Sequence, residues 1–384
     1  MVLGLELRNP VSCVIILIGL VRWYKLYHLV AYPTNIRIIS QNTPLSTSYT
    51  PFSPLRFVVI KNSQYYNYLE NHMKFKKVLV TGLSEPEMET GYWLRIKNIT
   101  GKIDFSSATD DDLISLLSDA DCLFVKFNGV TKKMIDNAPN LKYIGVFGTG
   151  FGKVDAEYAK NKGITICNVP GYSTQSVSEF VFAVILEHIR DIERAKEQAR
   201  EGNYSEAGFS ASEIKDKTFG VVGLGQIGLR TAEIAVGFGA KVKYWSRSEK
   251  YCSEKIDYAD ADEVISSSDI LSLHLVLNSG TKTFLNSKRI NNIKQGAIVV
   301  NTSSMELLDL DALENRLKKS DITFILDHSD EMTEKDLNRF SKYDNCIIYP
   351  PIGYISAEAG IAKQEIFVSN IENFIKGNPI NCVN

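Results

Sequence analysis

The stretch VVGLGQIG, residues 221–228, constrains this chain more than any other. It sets Gly223, Gly225 and Gly228 in a G-x-G-x-x-G pattern. Alone the pattern is weak; its setting gives it meaning. A β-rich run, TFGVVGL (218–224), leads into it, and a helical stretch, 226–238, follows. In that strand–turn–helix setting each glycine has its own task. Gly223 permits a tight turn, Gly225 lets backbone approach a pyrophosphate, and Gly228 allows close helix–strand packing. The amides of Gln226 and Ile227 then face phosphate at the positive end of a helix. The expectation is a dinucleotide-binding βαβ unit.

The rest of the chain after Met73 supports a parallel α/β protein. Val78–Thr81, Cys122–Lys126 and Tyr143–Phe147 read as strands, with the helical spacing of DDDLISLLSDA between the first two. Residues 173–200 read as one long helix with Ser173 as N-cap. Its apolar stripe holds Val177, Phe180, Val181, Val184, Ile185 and His188, which suits deep core or a dimer surface. Runs at 218–224, 241–245, 269–275, 297–301, 322–327 and 346–349 supply six strands for a doubly wound sheet.

The strand KVKYW (241–245) ends in SRSEK. An NAD site carries Asp or Glu about 20 residues past the glycines, to hold the ribose 2′-hydroxyl. Here Ser246 stands at that position, with Arg247 and Ser248 after it. No carboxylate repels a 2′-phosphate, and Arg247 offers a planar cation. The expected cofactor is NADP(H) rather than NAD(H).

Composition excludes some classes. The formal net charge of −2 lacks the basic excess of a nucleic-acid binder. Six cysteines form no CxxC pair and lie near no histidine at zinc spacing, so no metal site is expected. Cys122, Cys167 and Cys346 sit in apolar runs and read as small buried hydrophobes. The first 72 residues hold two acids, Glu6 and Glu70, against six bases, and a Ser/Thr/Pro-rich run at 41–54. Their apolar stretch, 11–21, is too short to span a bilayer. We read 1–72 as outside the fold, either a targeting segment or a start placed before Met73.

From Met73 onward the chain resembles the D-isomer-specific 2-hydroxyacid dehydrogenase family. The segments LKYIGVFGTGFGKVD (141–155), CNVPGYSTQSVSEF (167–180), GVVGLGQIG (220–228), SLHLVLNSGTKTFLN (272–286) and GAIVVNTS (296–303) follow its pattern in order and spacing. The resemblance implies a Rossmann cofactor domain at 171–352. It implies a smaller flavodoxin-like substrate domain from both chain ends, 73–170 and 353–384. It also implies a homodimer through the helix after Ser173, and hydride transfer to a 2-oxoacid. The amides of Thr149, Gly150 and Phe151 are the implied carboxylate cradle. Val276, Thr281, Thr302 and Asp327 complete the implied cofactor contacts.

The family's catalytic set is altered here. Ser304 stands where the family has its arginine, and Pro351 where it has the histidine that protonates the product. The glutamate position falls on Met332, with Glu331 one residue away. Two residues remain as substitutes. Lys126 ends the strand before the substrate-facing loop, and His328 follows Asp327 at a strand end. His188 reads as a buried, satisfied core histidine, and His274 as packing near the cofactor. Two functions compete: a reductase with an altered catalytic set, and a catalytically inactive NADP(H) binder acting as sensor or partner. The expected location is the cytoplasm, with organelle targeting by residues 1–72 left open.

Overall fold

The computed structural model describes residues 74–107, 110–126, 128–152 and 154–384. The expectations for residues 1–72, including Cys13, His28 and His72, lie outside the described residues. Two parallel sheets carry the fold. The first contains β1 (Phe75–Thr81), β2 (Thr100–Ser106), β3 (Cys122–Val125), β4 (Tyr143–Val146) and β5 (Thr165–Cys167), in the order β2-β1-β3-β4-β5. That is the flavodoxin-like order expected for one half of the chain. Helix α1 (Thr90–Asn98) covers one face of it.

Between the sheets run α2 (Thr174–Arg190) and α3 (Ile192–Arg200). The sequence reads as a single helix here. It breaks at Asp191, whose backbone is left-handed with φ 52°. Ser173 does stand at the N-cap, but its side chain makes no capping bond. Within α2 the buried set includes Val177, Val181, Val184 and Ile185 as expected, and also Phe182. His188 departs from expectation: it lies at the surface, its Nε2 3.2 Å from Thr323 Oγ1.

The second sheet contains β6 (Thr218–Val222), β7 (Lys241–Trp245), β8 (Ile256–Tyr258), β9 (Ile270–Leu273), β10 (Ile298–Asn301), β11 (Thr323–Leu326) and β12 (Cys346–Ile348). Helix α4 (Gln226–Gly237) follows β6. The order is β12-β11-β10-β9-β6-β7-β8, the doubly wound arrangement with its switch point between β6 and β9. It has seven strands rather than six. The extra one, β8, spans three residues and buries only Ile256, too short to signal itself by alternation.

The chain then returns to the first sheet as α5 (Ala357–Ile375). Its Phe367 is fully buried and meets Phe124 and Phe147 edge-on, with centroids 4.9 and 5.0 Å away. Gly145 makes room for it: a Cβ there would come within 3.0 Å of the Phe367 ring. Arg95 of α1 adds an ionic tie to Glu365 and Glu372 of α5, at 2.7 and 2.9 Å. Cys122, Cys167 and Cys346 are buried, as read from the sequence. Among the described residues no helix is long and apolar enough to cross a membrane.

Phe367 therefore anchors the C-terminal helix to the first sheet. Phe367→Ala should cost about 3–5 kcal/mol of stability, as for other buried Phe→Ala changes. The check is urea unfolding followed by far-UV circular dichroism, which should show an earlier first transition.

Candidate active site

The glycine loop has the tight turn and the close packing expected of it, and open space at its middle glycine. Gly223 has φ 101°, and a Cβ there would lie 2.5 Å from the His274 carbonyl oxygen. Only glycine fits that turn. A Cβ on Gly228 would meet the Gly223 carbonyl oxygen at 2.0 Å, so helix and turn are packed backbone to backbone. Gly225 caps α4, and a Cβ on it would meet no atom within 4 Å. The space beside Gly225 is open, as close approach of a ligand backbone requires. The first-turn amides of α4, at Gln226, Ile227 and Gly228, have no acceptor within the helix. This end of the site fits a pyrophosphate.

At the end of β7, Ser246 is buried and its hydroxyl donates to the Ser248 carbonyl at 2.6 Å. That donor is engaged locally; the oxygen remains an acceptor. Arg247 and Ser248 are exposed. Lys250 adds a cation that sequence reading passed over: its Nζ donates to Leu224 O, inside the glycine loop, at 2.7 Å. Its signal was a second base close behind Arg247.

The carboxyl ends of β9, β10 and β11 bring the next group together. His274 follows β9, with Nε2 2.9 Å from Ser272 Oγ and Nδ1 3.5 Å from Thr302 Oγ1. Burial pushes its imidazole down to about 3, so it is neutral and delivers no proton near pH 7. The loop after it closes through Thr281, whose hydroxyl donates to the Val276 carbonyl at 2.6 Å. The Val276 side chain points to solvent, 76% exposed. His328 Nε2 donates to the Thr302 carbonyl at 3.2 Å, and its Nδ1 lies 3.8 Å from both Asp330 and Glu331.

Asp327 is buried beside it. One carboxylate oxygen, Oδ2, accepts from the Gly353 amide at 3.0 Å, and the other, Oδ1, has no hydrogen-bond partner. Burial raises the pKa of this carboxyl, against the opposing pull of His328. A buried acceptor without a donor, at the carboxyl end of β11, fits the N–H of a carboxamide. Gly353 proves necessary for space rather than for flexibility: a Cβ there would lie 2.5 Å from Asp327 Oδ2.

Of the substituted catalytic positions, Ser304 meets Glu331. Ser304 Oγ donates to Glu331 Oε2 at 2.8 Å, and the Met305 amide donates to the same oxygen at 3.0 Å. Met332, where the sequence pattern put the glutamate, instead packs against the apolar cluster under β11. Pro351 lies in the crossover after β12 and offers no proton.

On the first sheet, β4 runs into the loop 147–152. The amides of Thr149, Gly150 and Phe151 donate to no acceptor among the described residues. Asn168 braces this loop, donating from Nδ2 to the Thr149 carbonyl at 2.7 Å, while Thr149 Oγ1 donates to Val169 O at 2.9 Å. Lys126 follows β3 and is ion-paired with Glu87. Near it lies a lysine that sequence reading missed. Lys363 of α5 holds its ammonium 4.3 Å from the centre of the Phe147 ring. Burial, and then the charge of Lys126, pull that ammonium down to about 8, with Glu87 pulling the other way. Its signal was present: Lys363 interrupts the buried i, i+4 row Ala359, Phe367, Ile371 and Ile375.

The two glycines make opposite predictions. Gly225→Val should fold with an unchanged melting temperature and lose about tenfold or more in nicotinamide dinucleotide affinity, because it fills the ligand's space. Gly228→Val should lower the melting temperature outright, because it strikes backbone. Fluorescence titration beside thermal unfolding separates the two.

Comparison with known proteins agrees with this geometry. Residues 182–353 match the family model described as D-isomer specific 2-hydroxyacid dehydrogenase, NAD binding domain. The chain is 31% identical over 291 residues to a hydroxypyruvate reductase of Blautia hydrogenotrophica, covering 73% of this chain and 90% of that protein. It is 34% identical over 286 residues to a glyoxylate reductase of Thermococcus litoralis, covering 71% and 83%. Among solved structures, an acyclic imino acid reductase, Bsp5, in complex with NADPH and D-Arg superposes with a TM-score of 0.74. It is 30% identical and covers 80% of this chain and all of its own. The chain belongs to the D-isomer specific 2-hydroxyacid dehydrogenase family, and is an oxidoreductase built to bind a nicotinamide dinucleotide.

Proposed function

We propose that the protein uses NADPH to reduce C2 of a small 2-oxoacid-like substrate, with a catalytic set of its own. The observation that carries this reading is the pairing of an open glycine loop with unsatisfied amides at Thr149, Gly150 and Phe151. The first suits a dinucleotide, and the second a carboxylate. The lobe built on the first sheet and α5 is the substrate side of this reading, and the lobe built on the second sheet is the cofactor side. Relatives that are named reductases speak for turnover and against an inactive binder.

The preference for NADPH rests on Ser246, Arg247 and Lys250 around the end of β7, where no carboxylate takes the family's place. Val276, Thr281, Thr302 and the unpaired Asp327 oxygen line the nicotinamide half of the proposed contacts. The bound nicotinamide supplies the hydride; the chain must supply orientation and, for a carbonyl, one proton. His328 is the proton donor of this reading. Thr302 fixes its ring through Nε2, and Nδ1 has no hydrogen-bond partner. Lys126, ion-paired with Glu87, is the second residue of the substitute catalytic set in this reading.

A second substrate reading has its own support. Pro351 removes the family's proton donor, and Bsp5, at 30% identity, is an imino acid reductase that holds NADPH. A protonated C=N already carries its proton, so hydride addition alone yields a neutral amine. Such a substrate tolerates the loss of an acid far better than a carbonyl does.

A homodimer through α2 and α3, and a cytoplasmic location, complete the proposal. Ile192 at the start of α3 is 41% exposed and offers apolar surface to a second copy.

Arg247→Asp should weaken NADPH by on the order of tenfold, through loss of a charged hydrogen bond, and should strengthen NADH. NADPH oxidation should be followed with glyoxylate, hydroxypyruvate, pyruvate and phenylpyruvate, each with and without ammonium. His328→Ala should lower kcat for a 2-oxoacid by about 10²–10⁴-fold and leave an imine almost unaffected. Tight NADH binding with weak NADPH binding sinks the cofactor assignment. NADPH binding without turnover in any mixture sinks the reductase.

A further inference from the structure

We infer that Lys363 is the cation that receives the substrate's carboxylate, acting from the first sheet in place of the arginine missing at position 304. This deepens the reductase reading above and rests on it. The Lys363 Nζ sits 4.3, 5.2 and 5.9 Å from the ring centres of Phe147, Tyr172 and Tyr354. The three rings come from three segments: the end of β4, the entry to α2 and the crossover to α5. Phe147 leads directly into the loop with the unsatisfied amides of Thr149, Gly150 and Phe151. Tyr172 precedes α2, beside Gly171, where a Cβ would strike the Gln226 side chain of the cofactor helix at 2.3 Å. Tyr354 follows Gly353, whose amide is tied to Asp327. The ammonium thus lies at the seam between the anion loop and the nicotinamide end of the sheet.

Charge points the same way. Among the described residues, the charged and titratable groups around Lys363 are Lys126, Glu87, Tyr172 and Tyr354. Burial raises Tyr172 to about 12, so it stays neutral. Glu87, the carboxylate that acts on Lys363, is already ion-paired with Lys126. Withdrawing an ammonium from water is costly unless an anion faces it, and aromatic faces replace only part of the lost hydration. Its lowered pKa of about 8 reports that shortfall. A carboxylate held on the loop amides would supply the missing charge. Ser304 cannot hold that carboxylate as an arginine would, since its hydroxyl is bonded to Glu331 and carries no positive charge.

The alternative is a purely structural lysine that packs its stem along α5 and rests on aromatic rings. Oxalate, a planar two-carbon dianion, separates the two readings. It is titrated against the full-length protein saturated with NADPH, with nicotinamide fluorescence as the readout. Lys363→Met should weaken oxalate by about tenfold or more, with NADPH affinity unchanged. Lys363→Arg should retain most of the affinity. Oxalate binding to the wild type should weaken between pH 7 and pH 9 as the ammonium discharges, whereas Lys363→Arg should show no such loss. Wild-type oxalate affinity in Lys363→Met, no oxalate binding by the wild type, or equal loss in the Met and Arg variants overturns the assignment. The outcomes also separate the two levels of the proposal. Wild-type turnover with an unchanged KM in Lys363→Met removes only the role of Lys363, while absence of NADPH binding removes the reductase reading itself.

Discussion

The bond from the Gly353 amide to the Asp327 carboxylate is the contact on which the cleft depends. The chain must leave β12, at the edge of the cofactor sheet, and cross back to the other sheet as α5. That crossover is fixed by one buried carboxylate, which reaches the amide only because residue 353 has no Cβ. Ser176 of α2 secures the same residue from the other side, donating to the Gly353 carbonyl at 2.9 Å. With Gly353 fixed, Tyr354 is fixed, and it is one wall of the aromatic box that holds Lys363. The second oxygen of Asp327 is left without a donor. One side chain therefore ties the crossover and, on the proposed reading, offers an acceptor to the cofactor. Both tasks need the carboxylate buried, and burial is what raises its pKa.

Much of this was legible in the sequence, because the parts that spoke are short-range. The glycine spacing at 223, 225 and 228 dictates local backbone geometry, and the contacts at each position match the task assigned. Most strand runs showed their period; the half-exposed β2, which buries no residue, and the three-residue β5 and β8 did not. The break at Asp191 was not legible, since the helical pattern continues through it and only the left-handed backbone marks it. His188 shows the limit of a stripe argument. It sits on the apolar side of α2 by spacing, yet it lies at the surface against Thr323.

The site was legible by position and illegible by partner. Ser304 and Pro351 could be placed as substitutions from motif spacing, but that Glu331 rather than Met332 would meet Ser304 depended on a turn of 3₁₀ helix at Ser329–Glu331. Lys363 was hidden for a related reason. It comes from the far end of the chain, and only tertiary packing brings α5 against the end of β4. On the proposed reading the family scaffold keeps its cofactor loop and anion loop, while the cation for the substrate moves from position 304 to Lys363 of α5.

The central claim is that this rearranged cleft still moves a hydride to C2 of its substrate. Incubation with NADPH deuterated at the transferable C4 position tests it most directly, with mass spectrometry of the products from 2-oxoacids supplied with and without ammonium. The account predicts deuterium at C2 of a 2-hydroxy acid or a 2-amino acid. NADPH that binds tightly yet stays fully reduced, with no deuterium in any product, would contradict it.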